Sequence, residues 1–300
     1  MNWASIAVLS AAIMGIVSII DGHLLSRRVP GLRVFILVVG IIHLVYGLIV
    51  LYILPLPAGV SVWPVLAAAA SGMIRSAGIM IMLYNLKVEE VSRVIPIVNT
   101  SPVFVALLAV PLLGETLGYL QWLAIIIVVA GAVIISAERS PAGVSGFLGK
   151  PFLLLFVSSL LIALADVASK YSLSFISFWN LFAVSTVCMS SVFLLFSLRP
   201  QVLNELWNME RRSSSLALLF FNEMLAPIGI LCGYWAMKSG PVSLVATIRG
   251  SRPVFVAIYS LILGLFLPDF LIRLASRKVL TVRLVATLMI FGGISIIYLT

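Results

Sequence analysis

The sequence predicts an all-α integral membrane protein of ten transmembrane helices arranged as two inverted five-helix repeats. Three observations predict it: side chains that are 62% apolar and only 10% charged, ten apolar runs of membrane length, and a pentapeptide that recurs intact half a chain away. Soluble domains run at roughly 45–50% apolar and about 25% charged, so a mean hydropathy of +1.23 excludes one. At about 20 residues per span, a chain of 300 residues leaves no room for an extramembrane domain. Function must then reside in the helical bundle.

In chain order the apolar runs are Asn2–Leu25, Val34–Leu54, Val62–Tyr84, Val91–Leu113, Leu120–Ala137, Pro151–Ser169, Phe175–Leu198, Ser215–Met237, Val242–Leu267 and Thr281–Leu299. The first has no basic start and is followed by Arg27 and Arg28, so it reads as a retained span and not as a signal peptide. Turn formers end most of the others: Val29-Pro30-Gly31, Leu56 to Gly59, Gly114 to Gly118, Ser140 to Gly143 and Ser239-Gly240-Pro241. Links this short make consecutive helices antiparallel neighbours. Before the last span lies an amphipathic stretch, Pro268–Leu280.

Thirteen of the 19 basic residues fall in loops after odd-numbered spans, and only Lys170 and Lys238 in loops after even-numbered ones. Because translocating Lys and Arg is disfavoured, this asymmetry places both termini outside a cell membrane that the chain crosses many times. The net charge of +9 is thereby a consequence of membrane insertion. It is not a nucleic-acid surface, since no basic run is interleaved with exposed aromatics. Cys188 and Cys232 both lie in apolar runs and read as buried small residues, with no disulfide framework, metal-ligand spacing or cofactor motif.

Pro102-Val103-Phe104-Val105-Ala106 returns as Pro253-Val254-Phe255-Val256-Ala257, and at the same offset Val91-Ser92 meets Val242-Ser243, Ile97 meets Ile248 and Gly78 meets Gly229. At a slightly shorter offset Asp21 meets Asp166, and Gly131 meets Gly293 at a longer one. The repeats cover residues 1–139 and 150–300. Five spans are an odd number, so the second copy enters the membrane inverted. Inverted copies supply two related states that exchange around a site near the midplane.

These residues resemble the drug/metabolite transporter superfamily, and within it the ten-span proteins built from two EamA domains. The sharpest likeness is Val91 to Leu108 followed by Leu113-Gly114-Glu115, similar to the family's fourth-span signature ending in a Gly-Glu turn. The second copy, Gly240 to Pro253, is similar but ends in Gly264-Leu265, with extra residues before the last span. The resemblance implies a solute carrier with a central cavity lined by spans one, three, four, six, eight and nine. It also implies cytoplasmic termini, opposite to the charge asymmetry.

A charge at the centre of a span costs approximately 2.5–3.5 kcal/mol on insertion scales, so each one calls for a partner or a water-filled cavity. The candidates are Arg75, Arg93, Arg249 and Arg252 among the bases and Asp21, Asp166 and Glu223 among the acids, all on those six spans. Spans two, five, seven and ten read as packing helices, with His43 as their main polar exception. Arg249 and Arg252 are three residues apart and are expected on one helical face. Asn222 and Glu223 precede Pro227, and Asn99 sits between Pro96 and Pro102, where backbone is loosened.

Arg249 or Arg252, with Arg75, is expected to anchor an anionic group such as a carboxylate, because guanidinium is planar, bidentate and stays charged when desolvated. Glu223 or Asp166 would bind an amino group or carry a coupling proton. The competing reading is a set of internal ion pairs that fixes helix packing, such as Glu223 with an arginine. Asp21, Tyr84, Arg93 and Trp235 are further cavity candidates. Ala68 with Gly72, and Gly229 with Gly233, permit close helix contact, with homodimerisation the secondary reading.

The expected function is that of a secondary transporter of a small polar metabolite, an amino acid or similar, most simply an exporter that is proton-coupled or works by exchange. The alternative is a flippase for a lipid or lipid-linked substrate. An intramembrane enzyme would need a nucleophile with its base or a metal constellation, and the sequence offers neither.

Overall fold

In the computed structural model the described residues are 2–88, 91–137, 150–266 and 277–300. They form thirteen helices and no strand. The first half holds α1 (Trp3–Arg27), α2 (Leu32–Ile53), α3 (Val62–Val88), α4 (Val91–Val98), α5 (Ser101–Leu113) and α6 (Tyr119–Ala137). The second holds α7 (Lys150–Leu173), α8 (Phe178–Ser197), α9 (Pro200–Trp207), α10 (Arg212–Ser239), α11 (Val242–Arg249), α12 (Arg252–Phe266) and α13 (Arg277–Leu299). Seven helical segments are long and apolar enough to cross a membrane, and Ser101–Leu113, Tyr119–Ile135 and Leu284–Leu299 are shorter apolar helices. The chain is a multi-pass membrane protein. Most of the stretch Pro268–Leu280 lies outside the described residues.

Two of the apolar runs are not continuous helices. The run Val91–Leu113 breaks at Asn99-Thr100, and Val242–Leu267 breaks at Gly250-Ser251. In both, a proline follows the break, Pro102 or Pro253. Proline has no N–H for the carbonyl one turn back and disfavours helical geometry in the residue before it. The carbonyls near the breaks are satisfied locally. Thr100 Oγ1 donates to the Ile97 carbonyl at 2.6 Å, joined by Ser159 Oγ from α7 at 3.1 Å. Ser251 Oγ donates to the Ile248 carbonyl, also at 2.6 Å. The breaks touch, since a Cβ on Gly250 would lie 3.3 Å from Pro102 Cγ.

Helix packing follows small residues. α10 lies along α1, where a Cβ on Gly229 would meet Met14 Sδ at 2.8 Å and the Gly229 carbonyl accepts from Ser10 Oγ at 2.7 Å. α3 lies along α7 in the same manner, with a Cβ on Gly78 reaching Ile162 at 3.0 Å and the Gly78 carbonyl accepting from Ser158 Oγ at 2.8 Å. α2 packs on α8 and α6 on α13, the latter through Gly131 and Gly293. A Cβ on Gly72 would collide with the Ser185 backbone carbonyl. The small residues Ala68, Gly72, Gly229 and Gly233 are all buried within the chain.

Large apolar side chains such as Leu48, Ile126, Leu195 and Leu288 are exposed on the outside of the bundle, as contact with lipid requires. α9 is an element that hydropathy missed. Its eight residues begin with Pro200 at the first turn and tuck Val202 against the cluster of Val34, Phe35 and Leu219. A helix this short has no membrane-length run to betray it.

Candidate functional site

The intramembrane charges gather in two groups. The first joins α3, α7 and α11. Arg75 Nη2 donates to Asp166 Oδ1 at 2.8 Å and lies 3.5 Å from Ser169 Oγ, while Arg249 Nη1 approaches the same Asp166 oxygen at 3.6 Å. The Tyr234 hydroxyl interacts with Arg75 and sits 3.4 Å from Ser185 Oγ. Gly233 lets this happen, because even a Cβ there would stand only 3.3 Å from Arg249 Nε. Two guanidinium groups thus share one carboxylate, leaving one positive charge in excess. Arg75 Nε and Arg249 Nε are buried donors with no hydrogen-bond partner among the described residues. Buried donors are almost always satisfied in a finished structure. A pair of orphaned N–H groups beside an excess cation is a cradle for an anion.

The second group joins α1, α2 and α10. Asn222 Nδ2 donates to Asp21 Oδ1 at 2.7 Å and to Glu223 Oε1 at 3.3 Å. His43 Nε2 stands 2.7 Å from Glu223 Oε2. The approach is short but off the line a ring N–H donor needs, so it is not a linear hydrogen bond. His43, Asn222 and Glu223 are all buried.

Several expectations change here. Arg249 and Arg252 do not share a helical face, because the break at Gly250-Ser251 separates them: Arg249 ends α11 and Arg252 begins α12. Arg252 acts electrostatically on both Asp21 and Asp166. Glu223 pairs with a histidine and not with an arginine. α2 is more than a packing helix, since it delivers His43. The signal was present in the sequence as the one charged-capable residue on that span.

Of the other candidates, Asn99 lies at the break between α4 and α5. Tyr84 is exposed on α3. Trp235 stacks on Phe178 with centroids 6.2 Å apart, away from the arginines. The side chain of Arg93 lies outside the described residues. Ser185 and Tyr46 were not anticipated. Single hydroxyls in apolar spans carry no spacing that distinguishes them from core residues.

The ends of the bundle are also defined. Glu115, from the Gly-Glu turn, accepts from the backbone N–H of Val242 and Ser243 and from Ser243 Oγ, and so caps the start of α11. Lys170 Nζ donates to the carbonyls of Met237 and Gly240, and Lys238 Nζ to that of Ile176. Lys170 therefore closes the C-terminus of α10, and Lys238 ties down the turn between α7 and α8. At the basic end a cavity of about 830 Å³ opens beside Arg27, Arg28, Glu205 and Arg211. It is a vestibule near Asp21 and not a pocket around the Arg75–Asp166 pair.

Comparison with known proteins supports the fold and the first half. No curated protein sequence matches the chain. A solved structure described only as the crystal structure of a protein aligns with a TM-score of 0.68 over 99% of this chain and 95% of its own, at 18% identity. It is among 28 solved chains that match. At that identity the likeness shows the fold alone. Residues 1–137 match the model of the EamA-like transporter family, a transporter family and not an enzyme family. Residues 1–137 of this chain are therefore similar to the EamA-like transporter family.

Proposed function

We propose that the chain is a ten-span secondary transporter built from two inverted five-helix repeats, residues 1–139 and 150–300, that moves a small polar metabolite bearing a carboxylate, such as an amino acid, by alternating access. Export by proton coupling or exchange is the working direction. The observation that carries the reading is the cluster of Arg75, Asp166 and Arg249, with its excess positive charge and two unpartnered buried N–H groups.

The ten-span count treats α4 with α5, and α11 with α12, as single broken spans. Two short apolar helices meeting at a break is an arrangement suited to a solute site, since irregular backbone inside a membrane is tolerated where it is buried in protein or lines a cavity. The pairing of elements supports inversion. α3 on α7 and α10 on α1 are counterparts under exchange of the halves, as are α5 on α7 and α12 on α1, while α2 with α8 and α6 with α13 map onto themselves. The Ser158–Gly78 and Ser10–Gly229 hydrogen bonds repeat the relation at atomic level.

The test is a thermal-shift screen of the purified chain against amino acids and related carboxylates, followed by uptake of each hit into proteoliposomes. A carboxylate that stabilises the native chain and fails to stabilise Arg249→Ala supports the reading. Equal stabilisation of both overturns the assignment of Arg249 to the site.

A further inference from the structure

The second charge group has a different chemistry from the first. Asp21 and Glu223 are held together by one amide nitrogen, so their nearest oxygens are no farther apart than the two hydrogen bonds of Asn222 allow. Two carboxylates this close do not both ionise in a low dielectric without a cation or a proton. The groups facing them are His43 from α2, Arg252 from α12 and the Tyr46 phenol, whose hydroxyl donates to Met224 Sδ. α8, packed against α2, carries no Asp, Glu, Lys, Arg or His, its titratable group being the thiol of Cys188. With His43 neutral, the set of Asp21, Glu223 and Arg252 carries one negative charge. One proton on the His43–Glu223 pair makes it neutral. The lone pair of a neutral imidazole nitrogen and a carboxylate oxygen repel at 2.7 Å, and a proton on either group removes that repulsion.

We propose that the His43–Glu223 pair, with Asp21 held beside it by Asn222, is a proton-binding site whose occupancy decides whether the basic end of the bundle is open or closed. The reading rests on the transporter function proposed above and deepens it by locating the coupling ion apart from the solute.

The physical reason is solvation. An unneutralised charge inside a membrane must keep a water-filled path to the surface. Asp21 lies little more than a turn from Ser26 and Arg27, which line the vestibule of about 830 Å³. Without the proton, the negative set holds this vestibule open and hydrated. A proton arriving from the vestibule is taken up by the His43–Glu223 pair, the set becomes neutral, and α1 and α10 can close over it. The proton leaves by the opposite path once the bundle has reorganised. Arg252 connects the two groups, because it acts on Asp21 and on Asp166 alike. Neutralising Asp21 and Glu223 by a proton frees this guanidinium to turn toward the solute site.

The test uses the full chain in nanodiscs with Cys188 and Cys232 replaced by serine, His23 replaced by glutamine to remove the only other imidazole, and Ser26→Cys as reporter. Its rate of labelling by a membrane-impermeant maleimide is followed against pH. Glu223→Gln carries the same thiol, so the ratio of the two rates cancels the ionisation of the reporter itself. The native ratio is expected to fall about tenfold from alkaline to acid pH as the vestibule closes. Glu223→Gln, neutral at every pH, is expected to label slowly throughout. His43→Gln is expected to label fast, with its transition displaced to more acid pH, because Glu223 has lost the partner that shares its proton. A native rate that follows Glu223→Gln at all pH values overturns the proposal, as does an unchanged transition in His43→Gln. Arg249→Ala is expected to keep the native pH response, so loss of solute binding there separates failure of the solute site from failure of the proton site.

Discussion

The two broken helices share a sequence and differ in charge. In the first copy the break reads Val98-Asn99-Thr100-Ser101-Pro102, and in the second Arg249-Gly250-Ser251-Arg252-Pro253. The backbone outcome is the same: a helix of eight residues, a two-residue turn, and a second helix that starts just before the proline. Only the second copy places guanidinium groups at the break, where Val98 and Ser101 stand in the first. The repeat thus builds the crossing of two broken helices, and the departure from the repeat supplies the charge. The reverse asymmetry holds at the helix starts, where Glu115 from the first copy caps α11 and the matching turn of the second ends in Gly264-Leu265.

Making the second break resemble the first is the severest way to test this contrast. Arg249→Val and Arg252→Ser install the residues of the other copy, and Arg249→Val is expected to cut uptake of the transported carboxylate by about 10–100-fold, the worth of a charge-assisted hydrogen bond. Uptake in proteoliposomes, with monodisperse gel filtration as the folding control, checks it. An Arg249→Val protein with normal uptake would place the anion elsewhere. Asp166→Asn strands two buried guanidinium groups at once and is expected to destabilise the bundle by about 3–5 kcal/mol, read as a fall in melting temperature. Arg75→Met combined with Asp166→Leu should recover much of that loss.

Smaller effects probe the helix ends and the breaks. Glu115→Ala removes the cap of α11 and is expected to cost about 1–2 kcal/mol. Thermal unfolding measures it, and a neutral result would mean that water replaces the carboxylate fully. The smallest effects compare the breaks directly. Ser251→Ala leaves the Ile248 carbonyl without its hydroxyl donor and is expected to cost about 1 kcal/mol. Thr100→Ala is expected to cost less, because the Ser159 hydroxyl, whose one proton has the Leu155 and Ile97 carbonyls both in reach, can turn to Ile97. Equal losses would show that Ser159 does not support the first break.

Membrane character, most of the helices and the likeness of residues 1–137 to EamA-like transporters were legible in the sequence, because hydropathy acts on every residue and Pro102 and Pro253 sit in a repeated pentapeptide. The charged residues of the site were legible too, since Arg75, Asp166, Asn222, Glu223 and Arg249 are rare in such company. Their partners were not. Arg249 and Arg252 looked like one face because helical spacing was carried through a break, and Tyr84 and Trp235 looked like cavity walls because aromatics near span ends read alike wherever they point.

By itself the sequence determined a bundle of apolar helices in a membrane and the short set of polar residues inside it. Each of these follows from the free energy of moving a side chain between water and hydrocarbon, which depends on local composition. Only the tertiary structure decided that Asp166 is shared by Arg75 and Arg249, that Glu223 meets His43, and that the two breaks touch. Those pairings join residues between 83 and 180 positions apart along the chain, and they exist because glycines at Gly72, Gly229 and Gly233 let particular helices approach closely enough for the charges to meet.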